Sequence, residues 1–251
     1  MTVIPDVAQA LIEVELKLLT YSARYSVPKD KRVEIYAALG PSSVLDEKVL
    51  NEARVKKILP KLSVADRVRA RIALSTARKV ENLWQQACLE TDANFSKHQD
   101  PAEINQEEEE YLAQRKQKPI EHISVYKVPR AFVPSHILTM TELALTGEIH
   151  DVAAFRYEAN EWWGIYGRPE ECEREFFIKW AAQDALYEAI GWIRHNSDPP
   201  AGNAVYAFAG VFEGKGFHNR LWAIDEKKQQ EFWVWWLTEA IPQAVMQENN
   251  S

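Results

Sequence analysis

Residues 63–84, SVADRVRARIALSTARKVENLW, decide how this chain folds. Ser63 stands where a helix needs an N-cap, and Asp66 falls in the first turn, where the helix dipole favours a negative charge. The spacing predicts a long helix from Ser63 to about Glu90. At about 100° per residue, Arg67, Arg71 and Arg78 share an arc of roughly 40°. Val64, Val68, Ile72, Ala77, Val80 and Leu83 lie on other sectors. Such a cationic stripe has two readings: a solvated face, or guanidinium groups that meet carboxylates inside the fold or on a partner.

Upstream, residues 6–25 repeat apolar positions at helical spacing. Val7, Leu11, Val14 and Leu18 form the stripe expected to face the core, with Ala10, Leu16 and Leu19 beside it. Asp30 can cap a short helix that Gly40-Pro41 stops, and a second short helix is expected from Ser43 to about Leu59. Downstream, residues 91–101 read as a polar loop, and Glu107–Glu110 as the solvated face of a polar helix. Residues 117–134 hold Pro119, Pro129 and Pro134, which makes this stretch the candidate internal linker; Ile123–Val128 is its one extended piece. Ser135 caps a helix ended by Gly147. Further helices are expected from Asp151 to Gly164 and from Pro169 to near His195, and a short apolar piece from Asn203 to about Phe212.

The last helix begins at an Asp225 cap and contains EFWVWWLTEAIPQA, residues 231–244. On a helical wheel Phe232, Trp233, Trp236, Leu237, Ala240 and Ile241 cover about half the circumference. Trp235 lies outside that half, and Glu239 projects between Trp235 and Phe232. A carboxylate among indoles is costly unless paired. Glu239 is therefore expected to be buried or half-buried against Arg71, Arg78 or an indole N–H. Pro242 should kink or end regular structure near Ala240. The tryptophans read first as core and second as an aromatic binding surface.

These segments together predict an all-α fold, an irregular antiparallel helical array in a single domain of residues 1–251. It has room for two packed bundles meeting at 117–134. The composition agrees: only nine glycines stand among 251 residues, and β-branched residues sit in helical patterns. Cys88 and Cys172 are far apart, form no CxxC, and read as small buried hydrophobes. The N-terminal residues lack the features of a signal peptide, and no run approaches the ~20 apolar residues that span a bilayer. A cytoplasmic location without membrane contact is expected. The net charge of −7 disfavours nucleic acid and suits a cationic partner.

Catalytic and metal chemistry find no motif. HExxH and helical ExxH are absent, as is a GxSxG elbow. His98, His122, His136, His150, His195 and His218 are scattered. Gly214-Lys215-Gly216 has too few glycines and too little context for a phosphate loop. No catalytic residue, cofactor or metal is expected, and the protein is read as a non-enzyme. The candidate polar and aromatic cluster is Arg67, Arg71, Arg78, Glu239, Trp235 and Trp236.

Three segments carry a resemblance: EIYAALGP (34–41), RARIALSTARKVENLW (69–84) and QQEFWVWWLTEAIPQA (229–244). In this order they resemble the helical immunity proteins of bacterial polymorphic toxin systems, the fifth catalogued immunity type. Glu81-Asn82 stand where the pattern has Leu-Pro, and the acidic segment 91–118 has no counterpart. The resemblance implies a stoichiometric inhibitor that binds a cognate toxin domain. A basic toxin would match the acidic charge. Two other readings stay open on the residues alone. One is a helical adaptor with a non-toxin partner; the other is a small-ligand binder or enzyme with a cavity lined by Trp162, Trp163, Trp180 and Trp192.

Overall fold

A computed structural model describes residues 3–42, 62–95, 101–124, 127–148, 204–205, 208–213 and 221–249. The fold is all-α. In chain order the helices are α1 (Asp6–Tyr21), α2 (Lys29–Ala38), α3 (Val64–Phe95), α4 (Pro101–Gln117), α5 (Val133–Thr146), α6 (Glu226–Trp235) and α7 (Ile241–Asn249). Short 3-10 turns at Ile120–His122 and Arg130–Phe132 lie between α4 and α5. One antiparallel hairpin precedes α6, pairing β1 (Gly210–Glu213) with β2 (Leu221–Ile224) from Gly210↔Ile224 to Glu213↔Leu221.

The long helix predicted from residues 63–84 is the hub. Ser63 Oγ accepts the Asp66 backbone N–H at 3.1 Å, as an N-cap should. The helix runs to Phe95, further than expected, so the polar residues after Glu90 continue it. Helices α5 and α7 pack on it, and the turns Arg130–Phe132 and Trp236–Ala240 touch it too. Its buried residues between 65 and 80 therefore point in almost every direction, and they include Ala65, Val68, Ala70, Ile72, Ala73, Leu74, Ala77 and Val80. Four alanines in this set let neighbouring backbones approach closely.

Helix α1 turns the other way from the sequence expectation. Ala8, Ile12, Glu15 and Leu19 are buried, while Val7, Val14 and Leu18 of the expected core stripe are exposed and Leu11 is half-buried. Both seams have the same four-three-four spacing, offset by one residue, so periodicity cannot choose between them. The contacts with α2 and α6 choose. Glu15 tolerates the core because Arg24, just past the helix end, places Nη2 2.9 Å from its carboxylate. Burial still pushes the Glu15 carboxyl up, against the opposing pull of Arg24.

Helix α2 starts on Pro28, so Asp30 lies in its first turn instead of capping it. Gly40 then takes a positive φ of 133°, and a Cβ there would come within 3.1 Å of Ala65. Helix α5 begins at Val133, two residues before Ser135, and ends as expected on Gly147 in the left-handed conformation. In the proline-rich stretch 117–134, Ile120, Ile123, Val128 and Val133 are buried in the main core. Its described residues contain no strand. The extended pair lies at 210–213 and 221–224 instead; its first strand falls at the end of the short apolar piece expected from Asn203 to about Phe212.

Asp225 caps α6 by accepting the Lys228 backbone N–H at 3.0 Å. Asp225→Ala is expected to lower unfolding stability by about 1 kcal/mol, read by urea titration. Pro242 does not end the structure. Its ring would clash with the carbonyl four residues back in an α-helix. The chain widens first into a π turn over Trp236–Ala240, in which the Ile241 N–H reaches the Trp236 carbonyl, and α7 then continues to Asn249. The helices expected at 43–59, 151–164 and 169–195, the four tryptophans 162, 163, 180 and 192, and His195 and His218 lie outside the described residues.

Candidate functional site

The arginine stripe of α3 faces carboxylates within the fold. Arg67 Nε and Arg71 Nε each donate to the Glu248 carboxylate at 2.6 Å, one to each oxygen. The Glu248 side chain is 1% exposed and that of Arg71 10%, so water does little to screen the contact. Arg67 also donates to the Leu62 carbonyl at 3.0 Å. Arg78 lies apart from this group, at the surface. Its guanidinium reaches Glu142 of α5 at 3.0 Å and Glu81 at 3.4 Å. Arg78→Ala is expected to cost less than about 1 kcal/mol, because exposed ion pairs are screened by solvent; thermal unfolding of the variant checks it.

Glu239 is exposed and is not the partner of Arg71 or Arg78. Thr238 and Glu239 are exposed on the outer side of the π turn, where water hydrates the carboxylate and no partner is required. An indole N–H does not serve it either: those of Trp233 and Trp236 are buried without an acceptor among the described residues. The six residues the wheel set on its apolar half are all buried, and Glu239, beside that half, stays in water. The acidic residue that meets the stripe sits at 248 on α7, beyond Pro242, where regular structure was expected to kink or end.

Trp236 is fully buried, stacked on Tyr36 of α2 at 6.0 Å and set edge-on to Trp233 at 5.6 Å. Arg32 lies over the Trp233 ring at 5.1 Å. Trp235 is half-buried, with Lys79 Nζ 4.6 Å from its ring centre and Phe232 at 5.6 Å. The tryptophan cluster is core, as the first of its two readings held. Of the six candidate residues, Arg67 and Arg71 meet around Glu248, Trp235 and Trp236 join the aromatic core, and Arg78 and Glu239 stand apart.

Two polar networks escaped the sequence reading. Arg69 points away from the stripe toward α2. It donates from Nη1 to Asp66 at 2.9 Å and from Nε and Nη2 to the Tyr36 carbonyl at 3.0 and 2.8 Å, and Nη2 also reaches the Gly40 carbonyl. Ser42 and Ser63 hydroxyls complete the shell of Asp66 at 2.6 and 2.7 Å. This network locks the end of α2 to the start of α3. The signal was an arginine on the apolar side of the helix. The second is His136 of α5, buried against Tyr111 of α4, with Tyr111 Oη 3.1 Å from Nδ1. Burial, helped by the nearby Arg115 charge, pushes this imidazole down to about 4, opposed by a hydrogen bond to the Ile123 backbone. A tyrosine and a histidine 25 residues apart gave no pattern to read.

Among the described residues no group of three His, Cys, Asp or Glu side chains is placed to hold a metal ion, and no helix is long and apolar enough to cross a membrane. No family model, curated protein or solved structure matches the chain.

Proposed function

We propose that this chain is a non-catalytic cytoplasmic binding protein, an immunity protein that neutralises a cognate toxin domain by stoichiometric association. The observation that carries the reading is the convergence of the three segments behind the family resemblance. Residues 34–41, 69–84 and 229–244 are far apart in sequence, yet they interlock. Arg69 holds the Tyr36 and Gly40 carbonyls, and Tyr36 stacks on Trp236. Motifs that build one another's surroundings make sense as the signature of a single fold. The strongest polar contacts of that core are occupied with holding helices together, as a rigid binding scaffold requires. A net charge of −7 suits a basic toxin and would speed encounter more than deepen affinity.

The test is affinity capture of the tagged full chain from its native cells, followed by mass spectrometry and co-expression with the polypeptide recovered. The expected result is one cationic protein at one-to-one stoichiometry, toxic when expressed alone and harmless beside this chain. Recovery of a harmless host protein would replace the proposal with the adaptor reading.

A further inference from the structure

The outer face of α1 carries an apolar stripe that the described residues leave uncovered. Val7, Ala10, Val14, Leu18 and Tyr21 fall within an arc of roughly 80° on the helix, and all five are exposed. Val7 is 66% exposed, Val14 53% and Tyr21 85%, and Val3, just ahead of the helix, is 71% exposed. A monomer gains nothing by aligning large apolar side chains in water, and contiguous exposed stripes mark association sites.

We propose that this stripe is the interface of a homodimer in which α1 packs antiparallel against α1 of a second copy. The stripe is self-complementary when reversed. An antiparallel copy crossing near Ala10 and Val14 lays Val14 on the small Ala10, brings Leu18 beside Val7, and sets Tyr21 near Val3. Each contact occurs twice by two-fold symmetry, as an isologous interface demands. The charges beside the stripe agree. Asp6 and Lys17 are exposed on the same flank, at opposite ends of the helix. Antiparallel pairing brings like flanks together, so Lys17 of each copy meets Asp6 of the other. A parallel pair would instead set this flank against the opposite flank of the partner and lose the Asp6–Lys17 pairing. One helix of 16 residues buries less than the ~1,200 Å² of a standard interface. The dimer is accordingly weak and forms with rising concentration. The proposal is independent of the toxin-binding reading.

Sedimentation velocity on the full chain, from low-micromolar to sub-millimolar concentration, tests it. The wild type is expected to shift from monomer to dimer across this range. Val14→Glu should stay monomeric throughout, with an unchanged circular dichroism melt, since the site is exposed. Lys17→Asp should weaken the dimer at least tenfold, and the double variant Asp6→Lys/Lys17→Asp should restore it. A wild type that remains monomeric at every concentration overturns the proposal and leaves the stripe to a different protein. A dimer that survives Val14→Glu, or one that the double charge exchange fails to restore, overturns it equally.

Discussion

Glu248→Ala is expected to lower the unfolding free energy by about 3–5 kcal/mol, the range seen when one partner of a buried ion pair is removed. The loss does not measure the strength of the pair. It measures what remains: Arg67 and Arg71 keep their charges beside an apolar core after the shared acceptor has gone. Arg71 is the more costly of the two, because its side chain is 10% exposed against 34% for Arg67. Glu239→Ala is the matching control. Its carboxylate is exposed, and the change should stay within about 0.5 kcal/mol. Urea unfolding of both variants separates the two positions. Equal, small effects would show that α7 does not close over the arginine stripe. High salt should leave most of the Glu248 effect in place, since buried charges are poorly screened.

The second large effect is a loss of stability in mild acid. Folded His136 is neutral, with its proton affinity lowered by burial from the ordinary 6.5 to about 4. Tyr111 hydroxyl donation to Nδ1 fits that neutral form, because burial pushes the Tyr111 phenol up and keeps it protonated. Between pH 6.5 and 4 the unfolded chain binds a proton that the folded protein refuses. Stability therefore falls as pH falls through this window, by about 3 kcal/mol in full. Below about pH 4 the folded histidine protonates as well, and this contribution levels off. Glu15 acts in the opposite sense, since its raised carboxyl favours the folded state as it protonates. Comparing wild type with His136→Gln at each pH isolates the histidine. The variant should lose the sloping part between pH 6.5 and 4, and a slope unchanged by the substitution would refute the assignment.

Lysine and arginine placement illustrates how far a sequence can be read here. The Arg67–Arg71 stripe was legible in two ways, first as a solvated face and second as a need for carboxylates, and the structure bears out the second. The identity of the carboxylate was not legible. At a fixed angle per residue Glu248 falls on the buried side, between Leu237 and Ile241, but Pro242 suggested a kink or an end near Ala240, where the chain makes a π turn instead. The turn itself was half legible, since Pro242 announced a disturbance without saying whether the helix would stop or widen. Arg69 and His136 show a different limit. Their partners are the Tyr36 and Gly40 carbonyls in one case and the Tyr111 hydroxyl in the other. Backbone carbonyls are present at every position and so mark none.

Taken alone, the order of residues determined the helical class, the Ser63 and Asp225 caps, and the Gly40 and Gly147 stops. Each of these depends on neighbours within about one turn, where local sterics and orphaned backbone donors leave little choice. Tertiary structure decided which seam of α1 is buried, which acid answers the arginines, and that the tryptophans of α6 fill the interior. Those outcomes compare surfaces brought together across most of the chain. Two stripes of equal periodicity on α1 are equivalent until α2 and α6 arrive to cover one of them.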